Sequence, residues 1–147
     1  MIGVDTNVLV YAHVDDDPRR GPCRSLLEGA QDEAAGDGSI LCLTWSVAYE
    51  FLRVVTHRSA LQHPLRTSQA WSFVTALQAM PHVRFLGPGP NHADHAARML
   101  SAAGVHGNLV HDAHIAAVLA EHGVRRIYTF DQHFRRFPGL EVVDPLG

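Results

Sequence analysis

Four carboxylates stand where they could do chemistry together. Asp5 ends a short β-type run, Ile2 to Val4, and Asp131 follows a second run, Arg126 to Phe130. In an α/β protein the binding crevice lies beyond the carboxyl ends of the strands, which is where both acids would sit. Each also fits as the N-cap of the turn or helix behind it, so taken singly neither requires a catalytic role. Glu50 lies inside Trp45 to Val55, a helical stretch apolar on nearly every side, and its plainer reading is a surface pair with Arg53. In the helix after Asn108, positions 109, 112, 113, 116, 117 and 120 form one stripe at helical spacing, apolar except for Asp112. A lone carboxylate on a packing face is costly unless a cation or hydrogen bonds compensate it. Asp112 also falls near a helix N-terminus, where the macrodipole favours an anion.

Four acids converging at one sheet edge would repel one another and raise one another's pKa values. A hard divalent cation relieves this. Mg²⁺, with Mn²⁺ as its substitute, takes oxygen ligands, keeps several waters and is usually held by a few carboxylates. The chemistry that needs such an arrangement is phosphoryl transfer at a phosphodiester, where the ion activates a water and neutralises charge on the phosphate and leaving oxygen. Zinc is the weaker choice. His111 and His114 flank Asp112 at a spacing that allows two ligands on one face, but neither HExxH nor a cysteine partner accompanies them. Asp94 sits near the start of another helix and reads better as a first-turn dipole contact or part of a solvated face.

The elements that must position these residues alternate. A helix is expected from Asn7 to His13, and another from Arg19 to about Ala35, with Asp17 and Pro18 as its N-cap and first-turn proline and Gly36 as its stop. Ser39 to Leu43 reads as a buried strand and Thr44 as the cap of a helix to about His57. Thr67 or Ser68 opens a helix through Ala79, and His82 to Leu86 is the third strand. Gly87-Pro88-Gly89-Pro90 is a loop, followed by helices from about Asn91 to Ala103 and from Leu109 to His122, the latter closed by Gly123. After the strand Arg126 to Phe130 come a short turn or helix, Gln132 to Phe137, and a small strand, Glu141 to Val143. The alternation predicts an α/β fold with a mainly parallel central sheet of four or five strands and right-handed crossovers.

The 147 residues suit one domain, expected to span 1–147, and 46% apolar content supports a core and excludes wholesale disorder. No apolar run reaches the length of a membrane span and the N-terminus lacks the features of a signal peptide, so a cytoplasmic protein away from the membrane is expected. The net charge of −3 rules out a blanket polycation. Nucleic-acid binding would therefore use local patches of arginine, the permanent cation throughout a chain without lysine: Arg19, Arg20 and Arg24, then Arg53, Arg58 and Arg66, then Arg135 and Arg136. Trp45, Tyr49, Phe51, Trp71 and Phe73 fall at helical spacing and read as core or dimer contacts rather than base-stacking platforms. Cys23 and Cys42 are too far apart for a CxxC motif and read as small hydrophobes.

Asp5-Thr6-Asn7-Val8-Leu9-Val10-Tyr11-Ala12 resembles the opening motif of PIN-domain nucleases. Glu50 is similar to their second acid, Asp112 in Leu109-Val110-His111-Asp112-Ala113 to their third, and Thr129-Phe130-Asp131 to the (Ser/Thr)-x-Asp segment carrying their fourth. The stretch Asp131 to Leu140 is similar to VapC toxins of type II toxin–antitoxin pairs, and the resemblance runs along essentially the whole chain. It implies a PIN-like three-layer α/β/α sandwich and a Mg²⁺-dependent endoribonuclease that cuts structured RNA, such as tRNA or rRNA, and halts translation. It also implies a VapB-type antitoxin whose tail occupies the acidic groove, and a homodimer. By the family pattern Asp5, Glu50, Asp112 and Asp131 hold the metal, Thr129 supports the site by hydrogen bonding, and Asn7 orients the first acid or a water on the metal. The competing reading is a non-catalytic PIN-like module that binds RNA or protein. A DNA-directed nuclease ranks lower because the chain has no room for the helical arch of larger flap nucleases. A haloacid-dehalogenase-type phosphatase ranks lower still, because Asn7 stands where its second aspartate would be.

Overall fold

The computed structural model describes residues 1–29 and 39–147. Five short strands, β1 (Ile2–Val4), β2 (Leu41–Thr44), β3 (Val83–Leu86), β4 (Arg126–Tyr128) and β5 (Glu141–Val143), form one sheet in the order β3-β2-β1-β4-β5. Every neighbouring pair is parallel. Six helices accompany it among the described residues: α1 (Thr6–Tyr11), α2 (Arg20–Leu27), α3 (Trp45–Thr56), α4 (Thr67–Gln78), α5 (His92–Leu100) and α6 (Leu109–Glu121), with a 3₁₀ helix at Gln132–Arg136. β1 and β2 are buried along their whole length, as strands covered on both faces are, and so they read as continuous apolar runs.

From β1 the chain steps outward to β2 and β3, then returns to lay β4 on the other side of β1. Right-handed crossovers place the helices of the first half on one face and α5 and α6 on the other. The contacts agree: α1 touches α2 and α3, α3 touches α4, and α5 pairs with α6. The order therefore reverses between β1 and β4, and a crevice opens at the carboxyl ends of these two strands. Val4 lies opposite Tyr128, and the Asp5 amide donates to the Tyr128 carbonyl at 3.0 Å, so the pairing continues to the edge of that crevice.

α6 is seated close on β1. A Cβ at Gly3 would lie 2.6 Å from Leu119 Cδ1, so the absence of a side chain there is what admits the helix. α6 is not the single-striped helix expected. Ala113 and the run Ile115 to Leu119 are buried on all sides, because the helix is held between the sheet and α5. It ends as expected: Gly123 adopts φ +73°, and the Gly123 and Val124 amides donate to the Ala120 and Leu119 carbonyls.

α2 differs from expectation at both ends. It begins at Arg20, one residue later than expected, although Asp17 accepts from the Arg19 amide as a cap would and pairs with the Arg19 guanidinium, and it stops at Leu27 with Gly29 at φ +77°. The expected continuation to Ala35 and the stop at Gly36 lie outside the described residues. Phe51 is buried, as expected for a core residue, and Trp45 and Phe73 are half-buried, but Tyr49 and Trp71 are exposed. Met99 is in the core and Met80 packs at its margin. No helix among the described residues is long and apolar enough to cross a membrane.

Candidate active site

Asp5 is 6% exposed and held by three donors from two strands' ends. Its Oδ1 accepts from the Thr6 amide at 2.7 Å, and its Oδ2 accepts from Thr129 Oγ1 at 2.6 Å and Asn7 Nδ2 at 2.8 Å. The fully buried Thr129 hydroxyl also accepts from the Asp131 amide at 2.9 Å and from Asn7 Nδ2 at 3.1 Å. One hydroxyl thus ties the first acid to the backbone of the fourth across the β1–β4 junction. Asn7 Oδ1 closes the network by accepting from the Phe130 amide.

The capping and acid readings of Asp5 and Asp131 turn out to be compatible. Asp5 is the N-cap of α1, and Asp131 caps the 3₁₀ helix by accepting from the His133 amide at 2.8 Å. Glu50 makes the expected surface pair with Arg53, at 3.7 Å, and its other oxygen accepts from Thr6 Oγ1 at 3.0 Å. Thr6 was the residue that sequence reasoning passed over. Its hydroxyl links α1 to the acid of α3, and the only signal was its place between Asp5 and Asn7.

Glu50, Asp112 and Asp131 line one cleft of about 770 Å³, together with Tyr49, Arg53, Asn108 and His111, while Asp5 lies beneath it. Asp5 and Asp112 each feel neighbouring acids of the set. Burial pushes the Asp5 carboxyl up to about 7 against the opposing hydrogen bonds of Thr129 and Thr6, and Asp112 and Glu50 push it the same way. Burial, Asp131 and Glu50 raise Asp112 to about 6, with His133 and His111 opposing. Such a site holds more negative charge than its own cations balance.

Every side-chain donor in this acidic set is a carboxylate oxygen, which suits a hard divalent ion; Cys23 and Cys42 are buried in the core. Among the described residues no three acidic, histidine or cysteine side chains are already gathered tightly enough to hold an ion between them. Mg²⁺ does not require such a closed cage, because it keeps much of its water and takes one or two carboxylates directly. His111 lines the cleft, whereas His114 faces His92 with ring centroids 5.2 Å apart, so the two histidines do not act as a pair. Asp94 is exposed in the first turn of α5 and does not line the cleft. Asp94→Asn should leave the RNA cleavage that the resemblance implies within about twofold of the parent protein, the small effect expected of a surface change away from the site; a large loss measured on the same RNA would place Asp94 in it.

Thr129→Val tests the linchpin. It keeps the shape but leaves Asp5 and the Asp131 amide each short of one buried partner, at a cost of roughly 1–3 kcal/mol. Thermal melting should show that loss, and cleavage should fall by roughly tenfold, the equivalent of about 1.4 kcal/mol at the transition state. Unchanged melting would mean that the hydroxyl is dispensable.

The model of the PIN domain family matches residues 2–140. The chain is 38% identical over 146 residues to the ribonuclease VapC43 of Mycobacterium tuberculosis, covering 99% of this chain and 96% of the relative. It is 35% identical over 143 residues to the ribonuclease VapC48 of the same organism, covering 97% and 96%. Among solved structures, VapC20 of Mycobacterium tuberculosis, described as a sarcin-ricin loop cleaving toxin, superposes with a TM-score of 0.64 at 19% identity, over 92% of this chain and 93% of that one. VapBC2 of Rickettsia felis, bound to a DNA fragment from its promoter, superposes with a TM-score of 0.66 at 18% identity over 98% of each chain. The sheet order, the acids at its switch point and these similarities agree: the chain belongs to the PIN-domain family and, within it, to the VapC ribonucleases.

Proposed function

We propose that this protein is a Mg²⁺-dependent endoribonuclease toxin. It hydrolyses phosphodiester bonds of structured RNA, such as tRNA or rRNA, to stop translation, and a VapB-type antitoxin neutralises it. The observation that carries the reading is that Glu50, Asp112 and Asp131 line one cleft and that, beside burial, neighbouring acids push the carboxyls of Asp5 and Asp112 up. Membership among the VapC ribonucleases supports the activity, the sarcin-ricin loop cleavage of VapC20 supports a structured RNA target, and the VapBC complexes among its fold relatives support the antitoxin. A cytoplasmic homodimer is part of the same proposal.

The four acids would hold Mg²⁺, or Mn²⁺ in its place. When bound, the ion would offset charge on the scissile phosphate and activate the attacking water. The chain's own residues do the positioning. Thr129, Asn7 and the Thr6 amide fix the rotamer of Asp5, and the Thr6 hydroxyl fixes one oxygen of Glu50. Asp112 presents its carboxylate from the first turn of α6, and its raised pKa marks it as a group whose charge awaits a cation. No nucleophilic side chain is needed.

The test is cleavage of total RNA by the purified protein with Mg²⁺ or Mn²⁺ against EDTA, with Asp5→Asn alongside. Metal-dependent cutting that the variant loses is the expected result. Intact RNA in every lane, with the antitoxin confirmed absent, would favour the non-catalytic binding module.

A further inference from the structure

The acidic cleft has an aromatic margin that the four acids do not explain. Tyr49 precedes Glu50 on α3, lines the same cleft and is 62% exposed, while Trp71 of α4 is 40% exposed. Their ring centroids are 6.5 Å apart, with planes 34° from parallel. Arg53, one turn after Tyr49, also lines the cleft and leaves 70% of its side chain in solvent beside Glu50. This aromatic pair is exposed on the single chain, and aromatic rings rank among the side chains with most to gain from burial, so it calls for an occupant.

We propose that Tyr49 and Trp71 form a stacking platform for an unpaired nucleobase of the RNA next to the scissile phosphate, with Arg53 meeting an adjacent phosphate. This rests on the ribonuclease reading. With the acids given over to the ion, they offer the rest of the polyanion no contact, so further grip comes from groups flanking them. Base–aromatic stacking supplies attraction that does not depend on charge, and an arginine supplies a phosphate contact. A paired base keeps its faces inside its own stack, so the platform selects loops and single strands over duplex. Two rings are small beside the roughly 800 Å² per partner of a stable protein interface, which makes a base the better-sized occupant.

The experiment uses the full chain carrying Asp112→Asn, in Mg²⁺, so that a fluorescein-labelled mixed-sequence 12-nucleotide RNA stays intact. Binding is followed by anisotropy and by intrinsic tryptophan fluorescence. The single strand is expected to quench that fluorescence, and Trp71→Phe, which leaves Trp45, should remove the quenching. Tyr49→Ala and Trp71→Ala should each weaken binding by about tenfold with the slope of log K against log salt unchanged. Arg53→Gln should instead shallow the slope by about one. A duplex of the same length should bind equally to parent and aromatic variants. No binding by the parent, unchanged affinity in the aromatic variants, or conversion of those variants from dimer to monomer in light scattering would overturn the platform. Cleavage by the protein with Asp112 restored is scored separately. Platform binding without cutting would sink the nuclease reading alone, and cutting with unchanged KM in Tyr49→Ala and Trp71→Ala would sink the platform alone.

Discussion

Asp112→Asn should lower RNA cleavage by roughly a thousandfold, about 4 kcal/mol of transition-state stabilisation, and leave the fold intact. Asparagine keeps the shape of the side chain and removes its charge. Among the described residues the Asp112 carboxylate accepts no hydrogen bond; its surroundings are burial and the fields of Asp131, Glu50, His133 and His111. Nothing in the framework is orphaned by the change, and the strain of a partly buried charge among like charges is relieved. The melting temperature of the metal-free variant should therefore equal or exceed that of the parent. Asp5→Asn is the less clean experiment, although it too should abolish cutting. One amide –NH₂ would have to face the donors of Thr129 and Asn7, or displace the Thr6 amide, so part of any lost activity would be lost structure. Cleavage of total RNA beside a melting curve decides the matter. Parental turnover in Asp112→Asn would remove Asp112 from the site.

The same contrast shows which parts of the site were legible beforehand. Asp5 and Asp131 could be found because short apolar strands announce their own carboxyl ends, and a parallel sheet puts ligands there. Glu50 stood out because α3 offers few polar positions. Asp112 was singled out for a reason the structure modifies. α6 is buried around most of its circumference, so its apolar residues define no single stripe, and what singles out Asp112 is its place in the first turn, lining the cleft. Periodicity separates one buried face from one wet face and says little where both sides are covered. Thr6 was invisible because a threonine in a first turn has an adequate local role as a helix opener. Its bond to Glu50 spans 44 residues of sequence and exists only after α1 and α3 have packed. Of the core-or-dimer reading of Tyr49 and Trp71, exposure removes only the core half, because neighbours on a helix can differ completely in burial: Phe51 is fully enclosed two residues from an exposed Tyr49. The early end of α2 was missed because the residues after Gly29 suit a helix, and nothing local marks Gly29 rather than Gly36 as the stop.

The metal-free protein should grow more stable as pH falls from 8.5 to about 6, the reverse of ordinary acid denaturation. An acid whose folded pKa exceeds its unfolded value of about 4 binds its proton more tightly in the native state. For Asp5, at about 7, and Asp112, at about 6, the native protein therefore binds more protons than the unfolded chain through this range, and stability falls with rising pH until both are ionised. Allowing for coupling between the two and for the partial exposure of Asp112, the gain from pH 8.5 to 6 is about 1–2 kcal/mol, a rise in melting temperature of roughly 3–6 °C for a domain of this size. Histidines limit the window. Burial holds the pKa values of His13 and His114 below the usual 6.5, so the unfolded chain gains protons there that the native state refuses, and stability is withdrawn increasingly below that point. The curve in EDTA should consequently pass through a maximum near pH 5–6. A divalent cation among the carboxylates lowers both raised pKa values, so millimolar Mg²⁺ should lift the melting temperature most at pH 8.5 and flatten the slope above pH 6. Asp112→Asn should flatten part of that slope without any metal, because one of the two titrating groups is gone and the field on Asp5 is weaker. Differential scanning fluorimetry from pH 5 to 8.5, with EDTA or Mg²⁺, separates these outcomes. A level profile in EDTA would show that the acids carry no strain, and with it the argument that they need a cation would fall.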